Sequence, residues 1–114
     1  MLPRILQLNA LLQERIGEFL TEHFETVPGT LVTVTRVATD PDLLHAKAFC
    51  SIFPETRRGS TLTALRKQES ELRRALGREL TLHRIPRVHF AIDEVEAHAQ
   101  TIEHLLDELP ERNT

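Results

Sequence analysis

Six histidines, one cysteine and a scatter of carboxylates are the residues here whose chemistry could ligate a metal or move a proton. A structural or catalytic metal needs three or four such side chains at one point, which a sequence shows as tight spacing of the HxxxH or CxxC kind. Neither spacing occurs, His98 and His104 face different sides of one helical segment, and Cys50 lies in a different element from most of the histidines. Nucleophilic catalysis fares no better. There is no GxSxG, no P-loop, no GxGxxG and no cysteine beside an obvious histidine partner. Glu103, Asp107 and Glu108 read as a solvated helix face. A hydrolase of the acylphosphatase kind on a small α+β scaffold would need a glycine-rich phosphate loop, and none is visible. The expectation is a protein that is no enzyme and takes no metal, cofactor or small-molecule substrate.

The charges carry more. The net charge is −3, but its distribution is uneven. Residues 1–56 set Arg4, Arg15, Arg36 and Lys47 against seven acids, and residues 93–114 set Arg112 alone against seven. Between them, Arg57, Arg58, Arg66, Lys67, Arg73, Arg74, Arg78, Arg84 and Arg87 face only Glu69, Glu71 and Glu79, a local balance of +6. A basic third inside an acidic chain is the footprint of a polyanion partner, and these nine residues are the candidate RNA-binding set. The plainer reading is a solvated helix face, since Glu69 precedes Arg73 and Lys67 precedes Glu71 at i,i+4, pairs worth only a few tenths of a kcal/mol. Five Phe with neither Tyr nor Trp make aromatic base-stacking platforms a poor mechanism, so recognition should rest on phosphates and shape. Phe49 reads as a packing residue with stacking as its alternative, and Phe90 as core.

The elements that must position these cations are punctuated by six prolines, which helices and central strands exclude. After Pro3, the residues Ile5, Leu8, Leu12, Ile16, Phe19 and Leu20 recur at helical spacing, with Gly17 inside the helix as a candidate close-packing contact. Pro28-Gly29 is followed by the β-branched run Leu31 to Val37, whose alternation slips near Arg36 and predicts a bulge there. A turn at Thr39-Asp40-Pro41-Asp42 leads to a second strand, Leu44 to Phe53, with Ala46, Ala48, Cys50 and Ile52 on one face. Its small residues allow a helix to approach closely. Ser60 is the expected N-cap of a helix pair or kinked helix running to about Leu82, with Leu62, Leu65, Leu72, Leu76 and Leu80 as its stripe and Gly77 as a kink or stop. Arg66, Lys67, Arg73, Arg74 and Arg78 fall on the opposite half of the wheel. Pro86 introduces a third strand, Val88 to Ile92. Asp93 then caps a last helix, with Glu96 at the capping-box position and Val95, Ala99, Ile102, Leu106 and Leu109 buried.

At 114 residues the chain is long enough for one core and short for two, so we expect a single domain over residues 1–114 with its core in roughly 4–109. Near-average composition predicts folding. The N-terminal apolar run is interrupted by Gln7, Asn9, Gln13 and Glu14, unlike a signal peptide or a membrane span. A lone Cys50 fits a reducing compartment. We expect a soluble, cytoplasmic monomer.

The order α-β-β-α-kink-α-β plus a C-terminal helix is that of a type II KH-like α+β domain, a small mixed three-stranded sheet with helices on one face. Across nearly the whole length the chain resembles the bacterial ribosome-binding factor A family. Three segments carry the resemblance: Val32 to Val37; Asp42-Leu43 through Ala46-Lys47-Ala48; and Leu72-Arg73 to Leu76-Gly77, leading to Leu82, Pro86, Phe90 and Asp93. Family members are small KH-like factors that bind the immature small (30S) subunit and help its 16S ribosomal RNA mature, notably in the cold, with no metal or nucleotide. They carry an Ala-x-Gly kink between two helices. Spacing places that kink at Gln68-Glu69-Ser70, where this chain departs from the pattern, while Ala75-Leu76-Gly77 has the letters seven residues late. The charged C-terminal tail of many members is missing, so tail functions are expected to be missing too. The resemblance implies a ribosome assembly factor bound to small-subunit ribosomal RNA. The alternative is a protein-interaction adaptor using the acidic last helix.

Overall fold

A computed structural model describes residues 3–82 and 84–95. Helix α1 (Arg4–His23) starts at Pro3, whose carbonyl accepts the N–H groups of Leu6 and Gln7, and it buries Leu12, Ile16, Phe19 and Leu20. Gly17 is not a close-packing position: a Cβ there would meet nothing within 4 Å among the described residues. After α1 the chain turns through Pro28 and Gly29. The φ of +87° at Gly29 is one that side-chain-bearing residues adopt only with strain.

Strands β1 (Leu31–Thr39) and β2 (His45–Phe53) pair antiparallel, and β3 (Arg87–Ile92) adds parallel to β2, giving a mixed sheet in the order β1-β2-β3. The expected bulge is present. Val34 pairs with Cys50 and Arg36 with Phe49, so Thr35 is the extra residue. The Gln13 amide of α1 donates to the carbonyls of Val34 and Thr35, at 3.2 and 3.3 Å. That contact satisfies backbone groups the bulge takes out of the ladder.

The inner face of β2 is Ala46, Ala48, Cys50 and Ile52, all buried, as the alternation predicts. Its three small side chains bring the helices close. Against it and against Val88 and Phe90 of β3 lie Leu65, Leu72, Ala75 and Leu76 of the helix pair. Each large apolar side chain buried this way contributes roughly 1.5–3 kcal/mol.

The helix pair departs from expectation at both ends. After a 3-10 turn (Glu55–Arg57), α2 (Arg58–Lys67) begins before Ser60, whose hydroxyl donates to the Arg57 carbonyl at 3.3 Å within the first turn and caps nothing. The break falls at Gln68, the first of the three positions to which the family resemblance assigned the kink, and α3 (Glu69–Glu79) follows and stops short of Leu82. Gln68 has φ −91° and ψ −2°. Any residue can adopt that conformation, which is why the kink forms here without a glycine. Gly77 neither kinks nor ends α3: it lies exposed inside the helix, one residue after buried Leu76. The second strand begins at His45 and not at Leu44, because Leu43 and Leu44 belong to the preceding turn.

At the end of β3, Asp93 is buried and its Oδ1 accepts the Val95 N–H at 3.1 Å, the contact expected of an N-cap. Val95, expected in the buried stripe of the last helix, is exposed; from Glu96 onward that helix, with its acids Glu103, Asp107 and Glu108, lies outside the described residues.

Candidate nucleic-acid interface

Strand β3 is an edge of the sheet, and in a parallel ladder the N–H and C=O of alternate residues on an edge point away from the neighbour. At Phe90 both outward groups are taken by the helix pair. Arg66 Nε donates to the Phe90 carbonyl at 3.4 Å, and the Phe90 N–H donates to Glu69 Oε2 at 2.8 Å. These two side chains flank Gln68, so the kink is fastened to the sheet edge from both sides. The other Glu69 oxygen lies 3.6 Å from His89 Nδ1, and His89 Nε2 lies 3.0 Å from His45 Nδ1 with the two rings stacked. That short nitrogen–nitrogen contact requires one ring to donate and the other to accept.

The nine predicted cations are not one patch. Arg57 and Arg58 sit half-buried at the start of α2, and Arg58 Nη2 lies 3.7 Å from Glu55. Arg66 is fixed by Phe90, while Lys67 closes α2 and is exposed. Arg74 and Arg78 both turn to Glu71, at 2.7 and 3.9 Å. The hydrogen bond from Arg74 holds the Glu71 carboxyl below its ordinary range, with the charges of Arg74 and Arg78 acting the same way. Exposed pairs of this kind are weak and break readily for a better anion.

Arg73, Arg84 and Arg87 do come together. One from mid-α3, one from the connection after it and one from the first position of β3, they line a single surface hollow of about 280 Å³ with Leu43, Leu44, His45 and Ile85. All three are exposed, and none has an ion-pair partner among the described residues. Arg84 also borders a larger apolar groove of about 780 Å³, together with Arg4, Leu8, Leu43 and Leu82. Charge counting along the chain found the three arginines. It missed Leu43, Leu44 and His45, whose only signal is their place just after the Asp40-Pro41-Asp42 turn.

On the outer sheet face Phe49 is half-buried beneath the Arg36 guanidinium, 3.8 Å from the ring centroid, so its face is already covered by a cation. Arg36 Nε lies 3.4 Å from Asp93 Oδ2, which also accepts the Thr35 hydroxyl at 2.6 Å. The bulge, the sheet face and the start of the last segment are thus joined at one carboxylate. Phe90 is core, as expected. The Cys50 thiol is fully buried, and loss of solvation pushes its pKa up to about 12. No group of three or more His, Cys, Asp or Glu able to hold a metal occurs among the described residues. No described helix is long and apolar enough to cross a membrane.

Comparison with known proteins gives a consistent answer. The sequence profile of ribosome-binding factor A matches residues 4–106. A ribosome-binding factor A of Gemmatimonas aurantiaca is 38% identical over 97 residues, covering 83% of this chain and 66% of its own. That of Opitutus terrae is 30% identical over 107 residues, covering 93% and 87%. Among solved structures, the crystal structure of ribosome-binding factor A from Thermus thermophilus superposes with a TM-score of 0.70 at 26% identity, over 79% of this chain and 97% of that one. A Thermus thermophilus ribosome-binding factor A fitted into the cryo-EM map of a 30S complex superposes with a TM-score of 0.65 at 27% identity, over 76% and 92%.

Proposed function

Because this chain belongs to the ribosome-binding factor A family and has its KH-like fold, we propose that it is a non-catalytic assembly factor that binds the immature small ribosomal subunit through its RNA. In this reading the molecule acts in the cytoplasm as a single RNA-binding domain, and its contacts assist late maturation of 16S ribosomal RNA. The relative fitted into a 30S complex supports the choice of partner. The observation in this chain that carries the proposal is the convergence of Arg73, Arg84 and Arg87, three exposed cations from three different segments, at one hollow. A merely solubilising charge run would follow one helix face. Instead, side chains from separate elements meet where a phosphate backbone would touch several at once. Binding of this kind is driven largely by counterion release and steers association from a distance.

Lys67, Arg74 and Arg78 on the helix pair, and Arg57 and Arg58 at the start of α2, offer RNA further, separate contacts outside the hollow. Arg66 serves both purposes, since its Nε is engaged by Phe90 while the side chain remains exposed. The test is co-sedimentation of the purified protein with immature and mature small subunits in moderate salt. Preferential retention on immature particles is the expected result. Equal indifference to both kinds of particle would remove the proposal.

A further inference from the structure

The hollow beside Arg73 is more than a cluster of charge. Its rim includes Leu43 and Leu44, two large apolar side chains that stay exposed, at 42% and 43%. Leu43 holds φ +63°, a left-handed conformation that leucine adopts only when its surroundings impose it. The surroundings do so. The Leu43 N–H closes the turn onto Asp40 O, the Leu44 N–H donates to Asp42 Oδ1, and the Leu44 carbonyl accepts the N–H of Arg87, each at 2.9 Å. The last of these bonds ties the apolar lip directly to one of the three arginines. The turn thus starts the pairing of β2 with β3, and it leaves two leucines exposed beside three guanidinium groups.

The chemistry of the lining defines an occupant. Phosphate calls for arginine. A flat aromatic base calls for apolar walls and for guanidinium planes on which it can lie, and single-stranded RNA offers splayed-out bases of this kind whereas paired RNA does not. The volume of about 280 Å³ falls just below the range of organic-ligand pockets, roughly 300–1,000 Å³. A paired strand cannot place a base there. We infer that the hollow seats one unstacked nucleotide of single-stranded RNA, its phosphate among Arg73, Arg84 and Arg87 and its base against Leu43 and Leu44. This inference rests on the proposed RNA-binding function and adds a preference for an unpaired nucleotide at a defined place.

The experiment compares a fluorescently labelled single-stranded RNA oligonucleotide with the same strand paired to its complement, titrated with full-length protein at several salt concentrations. The double variant Leu43→Ser, Leu44→Ser keeps every charge, and because both side chains are substantially exposed its melting temperature should match the parent. It should bind the single strand roughly five- to tenfold more weakly, since apolar area buried against the base is lost, and the duplex unchanged. Arg84→Ala with Arg87→Ala should weaken both, flattening the single-strand salt slope by about 0.7 per contact removed. Methyl NMR on the parent gives a readout independent of any variant, with the single strand shifting the Leu43 and Leu44 methyl signals and the duplex leaving them in place. If the leucine variant binds the single strand as tightly as the parent and the methyl signals do not move, the nucleotide pocket is wrong while RNA binding stands. If the parent binds neither RNA at low salt, the RNA-binding function fails and the pocket with it.

Discussion

Glu69, the first residue of α3, accepts the backbone N–H of Phe90 at 2.8 Å, so a helix N-terminus is joined to a sheet edge by a carboxylate and not by apolar contact alone. Replacing Glu69 with Ala would leave that N–H, in a half-buried setting, without its charged acceptor. The expected loss of stability is about 1–3 kcal/mol, measured by urea unfolding, together with faster hydrogen exchange at the Phe90 amide. Unchanged exchange at that amide would show that the contact does not hold the kink.

The exposed cations of the helix pair should separate binding from folding. Lys67, Arg73 and Arg78 project away from the Leu65, Leu72 and Leu76 stripe. Their joint replacement by Ala should shift the melting temperature little. Affinity for immature small subunits should fall, and the slope of log affinity against log salt should flatten by ~0.7–0.9 for each phosphate contact removed. Arg66 is left out because its loss would also free the Phe90 carbonyl. A triple variant that co-sediments like the parent at every salt concentration would mean that these cations are only solvated.

Glycine replacements should sort by backbone conformation. Gly77→Ala inside α3 meets nothing within 4 Å among the described residues and should stabilise by about 0.4–1 kcal/mol. Gly29→Ala must adopt φ +87° and should destabilise by about 1 kcal/mol or more. Thermal melts decide both, and a stabilised Gly29→Ala would contradict the turn geometry.

Cys50 links stability to alkaline pH. Its folded pKa is about 12, above the ordinary thiol value of 9.0. Between these two values the unfolded chain releases the proton and the folded chain keeps it. The contribution is therefore fully present below pH 9.0 and lost as pH rises toward 12, by up to about 1.4 kcal/mol per pH unit. Cys50→Ala lacks this term. The stability gap between parent and variant should narrow as pH climbs above 9.0, and the parent thiol should resist alkylation at neutral pH until the protein is unfolded.

Periodic features of the molecule could be read directly from the chain. The inward row Ala46, Ala48, Cys50 and Ile52, the stripe Leu65, Leu72 and Leu76, and the bulge beside Arg36 all follow from one residue's relation to its near neighbours. The helix break at Gln68 was implied by the family resemblance, counted from Leu72-Arg73, and not by its residue type, because a φ of −91° makes no demand on the side chain. Helix ends were misread where a local rule met packing: Ser60 looked like a cap, and Gly77 like a stop, yet buried Leu76 carries α3 past it. The hollow was invisible for a different reason. Arg73, Arg84 and Arg87 meet Leu43 and Leu44 only once β3 has docked, and no local pattern encodes that meeting.

That docking has a temporal side. Strands β1 and β2 are joined by a short turn and can pair as soon as both exist, but β3 reaches β2 only across the whole of α2 and α3, a closure of high contact order. The basic hollow includes the first residue of β3, so it is absent until that closure is complete. A chain made from its N-terminus therefore cannot assemble this hollow until β3 has emerged and docked. The sheet topology thus makes the hollow the last feature of the sheet to form, waiting on every element from α1 to β3.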